Sequence, residues 1–243
     1  MANTPIISGT PRLRLTRPGF DPRLQPVVPL PPGTILPQDA LSEDFIRRAF
    51  RQGGSWQVEP LLAELFDAHG LRQPGLVHAA VFMPLVQRLD GLHVLFTRRA
   101  THLSDHAGQI SFPGGRIEAS DRDPIAAAIR ETQEEVGIDP VYLDFIGTQP
   151  SMLTSTGFTM TPIVGAIRPG FSMRPDPSEV AEVFEVPLSV LMDPERHSLH
   201  RAVLPDGTDR LYFSMLWEEH FIWGATAALI RNFYRFLQAA AGR

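Results

Sequence analysis

Apolar residues recur at helical spacing over residues 124–136, which read PIAAAIRETQEEV. Aliphatic side chains gather on one side of the helical wheel and acidic side chains on another. Asp123 before Pro124 is a typical helix start, and Gly137 supplies the left-handed conformation that ends many helices. The pattern therefore predicts a helix from about Pro124 to Val136 that buries one stripe. The aliphatic residues of that stripe are Ile125, Ile129 and Val136.

Strand-like alternation of apolar and polar residues surrounds this helix in the sequence. Residues 79–86 and 92–97 flank Asp90-Gly91, a frequent hairpin turn, so we predict two antiparallel strands there. An amphipathic pattern over residues 224–237 predicts a closing helix. Mixed strands with an interposed helix indicate an α/β sandwich. The remaining predicted strands cover residues 109–112, 143–147, 159–167, 184–186 and 210–215.

The N-terminal region departs from this pattern. Nine of the 23 prolines fall within residues 1–38, where four arginines stand against a single acid, Asp21. Such a segment has few backbone donors and poor periodicity, so we predict a proline-rich arm that is extended or disordered. Contact of this arm with a membrane or an acidic partner is an alternative role for its arginines. These arginines are Arg12, Arg14, Arg17 and Arg23.

Two modest helical patterns follow the arm. One begins at Ser42 with Asp44, and the other covers residues 60–69 and ends at Gly70. They predict a helical extension over residues 39–75, followed by the main domain over residues 76–243.

Composition narrows the chemistry that this chain can perform. All 22 basic residues are arginines, and there is neither lysine nor cysteine. These absences exclude a Walker-type phosphate lysine, a Schiff-base lysine, a thiol nucleophile and a thiolate zinc site. Carboxylate, histidine, hydroxyl and arginine side chains remain for polar catalysis.

Charge and hydropathy exclude further classes of partner. The net charge of −5 indicates no general nucleic-acid footprint. No apolar run approaches the roughly 18 to 20 residues that span a bilayer, and the N-terminus lacks an apolar signal segment. We therefore predict a chain that binds neither nucleic acid nor membrane and works in the cytoplasm.

Three glutamates on the predicted helix are the first candidate site. Glu131, Glu134 and Glu135 fall within roughly a 100° arc of one helix face. Like charges four residues apart destabilise an isolated helix, whereas a hard divalent cation would convert them into a binding site. The alternative is a solvated acidic face.

The residues around these glutamates resemble the Nudix box, Gly-x5-Glu-x7-Arg-Glu-U-x-Glu-Glu-x-Gly-U, where U is a bulky aliphatic residue. Three positions depart from the pattern. One extra residue lies between Gly115 and Arg130, Asp121 stands at the first glutamate position, and Thr132 replaces an aliphatic residue. The matching residues are Gly115, Arg130, Glu131, Glu134, Glu135, Gly137 and Ile138.

The stretch from Leu95 to Gly115 is similar to the signature of coenzyme A pyrophosphatases, a Nudix subfamily with the same one-residue insertion. Ser104 stands where that signature expects arginine. The similarity extends over about residues 76–238. The stretch reads Leu95-Phe96-Thr97-Arg98-Arg99-Ala100, then Gly108, then Phe112-Pro113-Gly114-Gly115.

The resemblance implies a Nudix-type α/β/α sandwich with a mixed β-sheet, and suggests a homodimer. It implies metal-dependent hydrolysis of coenzyme A or acyl-coenzyme A to 3′,5′-ADP and 4′-phosphopantetheine or its acyl form. Mg²⁺ or Mn²⁺ would be held by Glu131, Glu134 and Glu135, because cations must neutralise a diphosphate before water attacks it.

Other catalytic residues are predicted from their positions. Glu134 or Glu135 would act through bound water, and Arg130 would orient a carboxylate. Nudix enzymes often use a glutamate from a later loop, for which Glu182 and Glu179 are candidates.

Substrate contacts are predicted for three arginines and two glycines. Arg98, Arg99 and Arg116 have guanidinium groups that suit phosphate oxygens. Because Arg98 and Arg99 are adjacent on a strand, they point to opposite faces and at most one serves directly. Gly114 and Gly115 would let the backbone approach metal or phosphate closely.

Two histidines and a tryptophan are not assigned to the catalytic or substrate-binding residues. His102 and His106 are interpreted as loop or supporting residues, and Trp223 as a core residue rather than an adenine platform.

Two alternatives remain open from the sequence. One is hydrolysis of another nucleoside diphosphate derivative, such as ADP-ribose or a modified dNTP. The other is a module that binds a nucleotide without cleaving it. A scaffolding role would depend on the proline-rich arm.

Overall fold

The computed structural model describes residues 20–66, 71, 75–103, 106–154, 156–203 and 207–242. Arg12, Arg14, Arg17, Ser104 and the predicted helix end near Gly70 lie outside this range. In the described part of the chain the helices are α1 (Glu43–Gln52), α2 (Pro124–Val136), α3 (Leu188–Leu191) and α4 (Ala225–Ala241). The strands are β1 (Val27–Val28), β2 (Val77–Arg88), β3 (Gly91–Arg99), β4 (Ile110–Ser111), β5 (Gly114–Arg116), β6 (Leu143–Thr148), β7 (Met152–Leu153), β8 (Phe158–Ile167), β9 (Val180–Pro187), β10 (Ser198–Val203), β11 (Asp209–Trp217) and β12 (His220–Trp223).

Helix α2 has the predicted bounds. The Asp123 carboxylate accepts a hydrogen bond from the Ala126 amide (2.8 Å), and Gly137 ends the helix at φ 72°. Thr132 is fully buried, and its hydroxyl donates to the Ala128 carbonyl (2.7 Å). A threonine is therefore accommodated at this aliphatic position, because the helix backbone satisfies its hydroxyl.

The larger sheet is mixed and runs in the order β4-β3-β2-β8-β6, with β5, β7 and β9 joining along its length. The predicted hairpin is present as β2 and β3, and β2 pairs in parallel with β8. Successive side chains of β2 alternate between the two faces. Ala80, Phe82 and Val86 share a core with α2, whereas Val81, Met83 and Leu85 belong to a larger core on the opposite face.

A second sheet was not predicted. Its order is β1-β10-β11-β12, and it shares the larger core with α4. Only β11 was anticipated among its strands. The outer face is covered by the N-terminal segment, since Phe20 packs against Tyr212 and Trp223. Because this sheet is packed on both faces, its strands lack the simple apolar–polar alternation that reveals a half-exposed strand.

The N-terminal residues also contact the domain. β1 pairs with β10, and the Tyr234 hydroxyl bonds both the amide and the carbonyl of Thr34 (2.9 and 2.7 Å). Ser42 caps α1 by accepting from the Phe45 amide. Residues 60–66, at the second helical pattern, form a 3₁₀ helix. The division into arm, extension and domain stays a prediction.

Helices on both faces of a mixed sheet confirm the predicted α/β fold class. In the described ranges, no helix combines the length and apolar character needed to cross a bilayer.

Candidate active site

Glu135 is the most enclosed of the three helix glutamates, with 2% of its surface exposed. One of its oxygens accepts from the Gly114 amide (3.2 Å), and the other lies 3.5 Å from Arg99 Nη1. Burial raises the pKa of Glu135 to about 8, although the Gly114 amide and the Arg99 charge oppose that rise. A nearby cation would therefore favour the ionised carboxylate.

Gly114 and Gly115 bring strand β5 close to β2 and α2. Gly114 has φ 153°, and a Cβ built there would lie 2.4 Å from the Ala80 carbonyl oxygen. A Cβ on Gly115 would lie 2.5 Å from the Glu131 carboxylate. The first glycine thus permits the β2 contact, and the second leaves space for the Glu131 carboxylate.

Arg130 binds three carboxylates. Its Nε and Nη2 contact the two oxygens of Asp121 (3.1 and 3.0 Å), and Nη1 donates to Glu131 (3.0 Å) and Glu134 (2.8 Å). The bond to Asp121 is the main cause of the raised pKa of Arg130, and it lowers the pKa of Asp121. Arg130 therefore joins three carboxylates, and one of them, Asp121, is a residue to which the sequence pattern assigned no role.

The three glutamates do not share one environment. Burial raises the pKa of Glu131 while Arg130 opposes the rise, whereas Glu134 has a side chain that is 54% exposed. On the acidic face of α2, solvent exposure therefore increases from the buried Glu135 to the exposed Glu134, so the face is not uniformly solvated. Glu131 and Glu135 form the inner pair, which we call the carboxylate cradle.

Arg98 and Arg99 point to opposite faces of β3, as predicted. Arg99 faces α2 and Glu135. Arg98 lies on the other face, where its Nε is 2.8 Å from Glu182. The other Glu182 oxygen is 3.1 Å from His220 Nε2.

The structure therefore does not bring Glu182 or Arg98 to the carboxylate cradle. Glu182 lies opposite Arg98 in the β3–β9 ladder and has the same orientation as Phe184, which packs in the larger core. The sequence alone could not show which face Glu182 occupies, because a register shift at Arg98–Arg99 determines which β9 residues face α2.

Glu179 does lie near the carboxylate cradle. Its negative charge contributes to the raised pKa of both Glu131 and Glu135. Its backbone is anchored, because its carbonyl accepts from the Ala100 amide (2.7 Å) directly after Arg99.

Arg116 is exposed and lies 5.6 Å from the centre of the Phe158 ring. Its carbonyl accepts from Arg130, which places it beside the cradle (3.0 Å). Among the described residues, no carboxylate forms an ion pair with Arg116, whereas Arg98, Arg99 and Arg130 are all paired.

The remaining candidates lie outside the cradle contacts. His106 bonds Gln109 (2.8 Å), and His102 is exposed. Trp223 packs on Phe20 and Tyr212 in the second sheet. His220 was not predicted from the sequence, since no motif marks it.

The carboxylate cradle suits a hard divalent cation. Burial raises the pKa of both of its carboxyl groups. Carboxylate oxygens are the ligands that Mg²⁺ and Mn²⁺ take. A cation there would supply electrostatic stabilisation of a reacting phosphate.

Comparison with known proteins gives a consistent result. A family model described as NUDIX domain matches residues 76–207. Proteins named uncharacterized Nudix hydrolase NudL, from Salmonella paratyphi B and Salmonella newport, are each 43% identical over 156 residues, which is 63% of this chain and 79% of theirs.

Two solved structures are also similar to this chain. A Nudix hydrolase from M. smegmatis, RenU, is 22% identical at a TM-score of 0.41, covering 58% of this chain and 84% of its own. A C. elegans Ap4A hydrolase is 17% identical at a TM-score of 0.40, covering 45% and 80% respectively.

Proposed function

This chain belongs to the Nudix family of hydrolases, and we propose that it hydrolyses the diphosphate bond of coenzyme A or acyl-coenzyme A. The products are 3′,5′-ADP and 4′-phosphopantetheine or its acyl form. Water adds to one phosphorus as the bridging P–O bond breaks, so each product carries a phosphate. The observation that carries the reaction is the carboxylate cradle of Glu131 and Glu135, with Arg130, Arg99 and the Gly114 amide around it.

Glu131, Glu135 and the more exposed Glu134 are the proposed ligands for Mg²⁺ or Mn²⁺. An ion held there would supply positive charge that offsets the charge of the diphosphate and favours attack by water. Arg130 donates a hydrogen bond to each of Glu131 and Glu134. Gly114 and Arg99 hold the two oxygens of Glu135.

We assign the water-activating role to Glu179. Its charge acts on both cradle glutamates, and its carbonyl is tied to the strand end that carries Arg99. Glu182 is less suitable, because both of its oxygens are occupied on the other face of the sheet.

Arg116 is the proposed phosphate-binding arginine. It is beside the cradle, and no described carboxylate neutralises it. Coenzyme A carries a 3′-phosphate in addition to its diphosphate, so an uncompensated guanidinium at this place suits that extra charge. Arg99, paired with Glu135, is assigned to supporting the cradle.

The coenzyme A assignment is supported by the Leu95–Gly115 signature and by the extra residue before Arg130. That signature includes the strand that carries Arg99 and the glycines that contact the cradle. Ser104, at a position where the signature has arginine, favours the rival substrates, ADP-ribose or a modified dNTP.

The deciding experiment is a substrate panel. Purified chain with Mg²⁺ is assayed against coenzyme A, an acyl-coenzyme A, dephospho-coenzyme A, ADP-ribose and dNTPs. We expect the highest kcat/KM with coenzyme A or its acyl form, and a higher KM for coenzyme A in Arg116→Gln. Coenzyme A turnover no faster than the rest would exclude the subfamily assignment. Absence of turnover with all of them would favour a nucleotide-binding module.

A further inference from the structure

A second group of polar side chains lies at the β11–β12 turn. One ligand atom each from Glu218, Glu219 and His220 lies within 4.8 Å of the others. The two glutamates are exposed, whereas His220 is 5% exposed. Acidic side chains at a turn are common, so the state of the histidine decides whether this group is a site.

His220 has one nitrogen occupied and one without a partner. Its Nε2 lies 3.1 Å from Glu182, whose second oxygen is 2.8 Å from Arg98. Its Nδ1 is buried and makes no hydrogen bond within the described part of the chain. The ring stacks on Phe184 with centres 3.7 Å apart, which fixes its plane.

The Glu182 contact orients the ring and occupies its Nε2. A carboxylate at Nε2 favours the N–H there and leaves a lone pair on Nδ1. Metal-binding histidines typically donate their other N–H to a carboxylate in this way. A buried lone pair with no donor is otherwise unfavourable.

We propose that Glu218, Glu219 and Nδ1 of His220 form a binding site for a transition-metal dication, with Glu182 orienting the imidazole. The site is separate from the carboxylate cradle, because His220 and Glu182 lie on the opposite face of the larger sheet. An imidazole with two carboxylates suits Zn²⁺ better than Mg²⁺, which prefers oxygen ligands alone.

The test measures Zn²⁺ binding to the full chain in a large excess of Mg²⁺, which occupies oxygen-only sites. Equilibrium dialysis followed by metal analysis gives the stoichiometry and affinity. The variants are the double substitution Glu218→Gln with Glu219→Gln, and Glu182→Gln. Glu195→Gln, at an exposed position in the short 3₁₀ helix Pro194–Arg196, is the matched control. The measurement does not depend on hydrolysis, so its failure is distinct from failure of the proposed function.

We expect the wild type to bind one Zn²⁺ that the double variant holds at least about tenfold more weakly. Glu182→Gln should weaken binding by about 10- to 100-fold, the usual effect of losing the partner of a ligating histidine. Zn²⁺ should shift the ring-proton NMR signals of His220 in the wild type and in Glu195→Gln. Absence of Zn²⁺ binding by the wild type, or equal binding by the double variant, would overturn the proposal. Because Glu218 and Glu219 are exposed, the double variant should fold.

Discussion

Gly115 and Glu131 occupy adjoining space: a Cβ on Gly115 would lie 2.5 Å from the Glu131 carboxylate carbon and one of its oxygens. Real Cβ atoms do not approach other atoms this closely, so any larger residue must displace that carboxylate. The backbone at Gly115 has no left-handed conformation, since its φ lies outside the positive range that marks the neighbouring Gly114. Glycine is therefore required at position 115 by the space that the carboxylate cradle occupies, and not by the backbone conformation.

We predict that Gly115→Ala lowers kcat at least tenfold with little loss of stability, because a flexible glutamate side chain can move away while the strand remains. Steady-state kinetics and urea unfolding measure the two effects. Gly114→Ala is the matched comparison, and it should mainly destabilise the fold, since its Cβ would meet the Ala80 backbone. Wild-type kcat in folded Gly115→Ala would contradict the placement of Glu131 at the site.

The raised pKa of Glu135 predicts a pH-dependent stability for the metal-free protein. The folded chain holds a proton on Glu135 up to about pH 8, whereas the ordinary pKa is 4.5. Between these values the folded state binds more protons than the unfolded state, so the unfolding free energy falls as pH rises. The fall is at most about 1.4 kcal/mol for each pH unit crossed. Urea unfolding in EDTA across this range should show the decline, and Mg²⁺ should stabilise more at the alkaline end.

Glu135→Gln separates stability from activity. The variant should flatten the pH dependence and unfold at higher urea than the wild type near pH 8, because no charge is buried. Its turnover should fall by orders of magnitude, since a metal ligand is lost. A variant that kept wild-type turnover would exclude Glu135 from the metal site.

Arg130→Lys should lower kcat by about 10- to 100-fold and leave the KM for substrate nearly unchanged. Lysine keeps the charge but cannot contact Asp121 at two oxygens while also holding Glu131 and Glu134. The Mg²⁺ concentration for half-maximal activity should rise in the same variant. Arg122→Lys, an exposed arginine in the preceding loop, is the control and should behave as wild type. A large KM effect without a kcat effect would instead indicate substrate contact by Arg130.

Glu179→Gln should reduce kcat at least tenfold, because a positioned base typically contributes about 10²- to 10⁴-fold. Glu182→Gln is the paired comparison and should have the smaller effect, since its carboxylate contacts Arg98 and His220 on the other face. Equal kinetics of Glu179→Gln and wild type would remove Glu179 from the mechanism.

Removal of the whole predicted arm, residues 2–38, should destabilise the protein. It takes away the β1–β10 pairing, the Thr34–Tyr234 hydrogen bonds and the buried Leu36 side chain, whose burial alone is worth about 1.5 to 3 kcal/mol. Removal of residues 2–19 leaves these contacts in place, so its melting temperature should stay closer to that of the full chain. Equal melting temperatures of the two truncations would show that these contacts add little.

Local signals explain what the sequence could predict. The ends of α2 depend on Asp123, Pro124 and Gly137, which act within one turn of the helix. The β2–β3 hairpin depends on a short turn between two apolar runs. In both cases neighbouring residues contain the information.

Distant packing explains what the sequence could not predict. The second sheet joins the distant strand β1 to the consecutive strands β10, β11 and β12, and Phe20 packs against Tyr212 and Trp223 in that sheet. The positions of Glu179 and Glu182 depend on the β3–β9 register, and the burial of Glu135 depends on contact with β5. The coenzyme A substrate, a homodimer and a cytoplasmic location stay predictions.

Strand β3 supplies Arg99 to one face of the sheet and Arg98 to the other, and this arrangement depends in part on strand pairing that a distant turn helps to set. The β2–β3 connection has two residues, Leu89 and Asp90, between the paired Arg88 and Gly91. A change in pairing by one residue would send each arginine to the opposite face. Leu89 is fully exposed, so most substitutions at this position should be tolerated. Insertions and deletions at this turn should thus be tolerated far less than substitutions, although the turn contacts neither polar cluster.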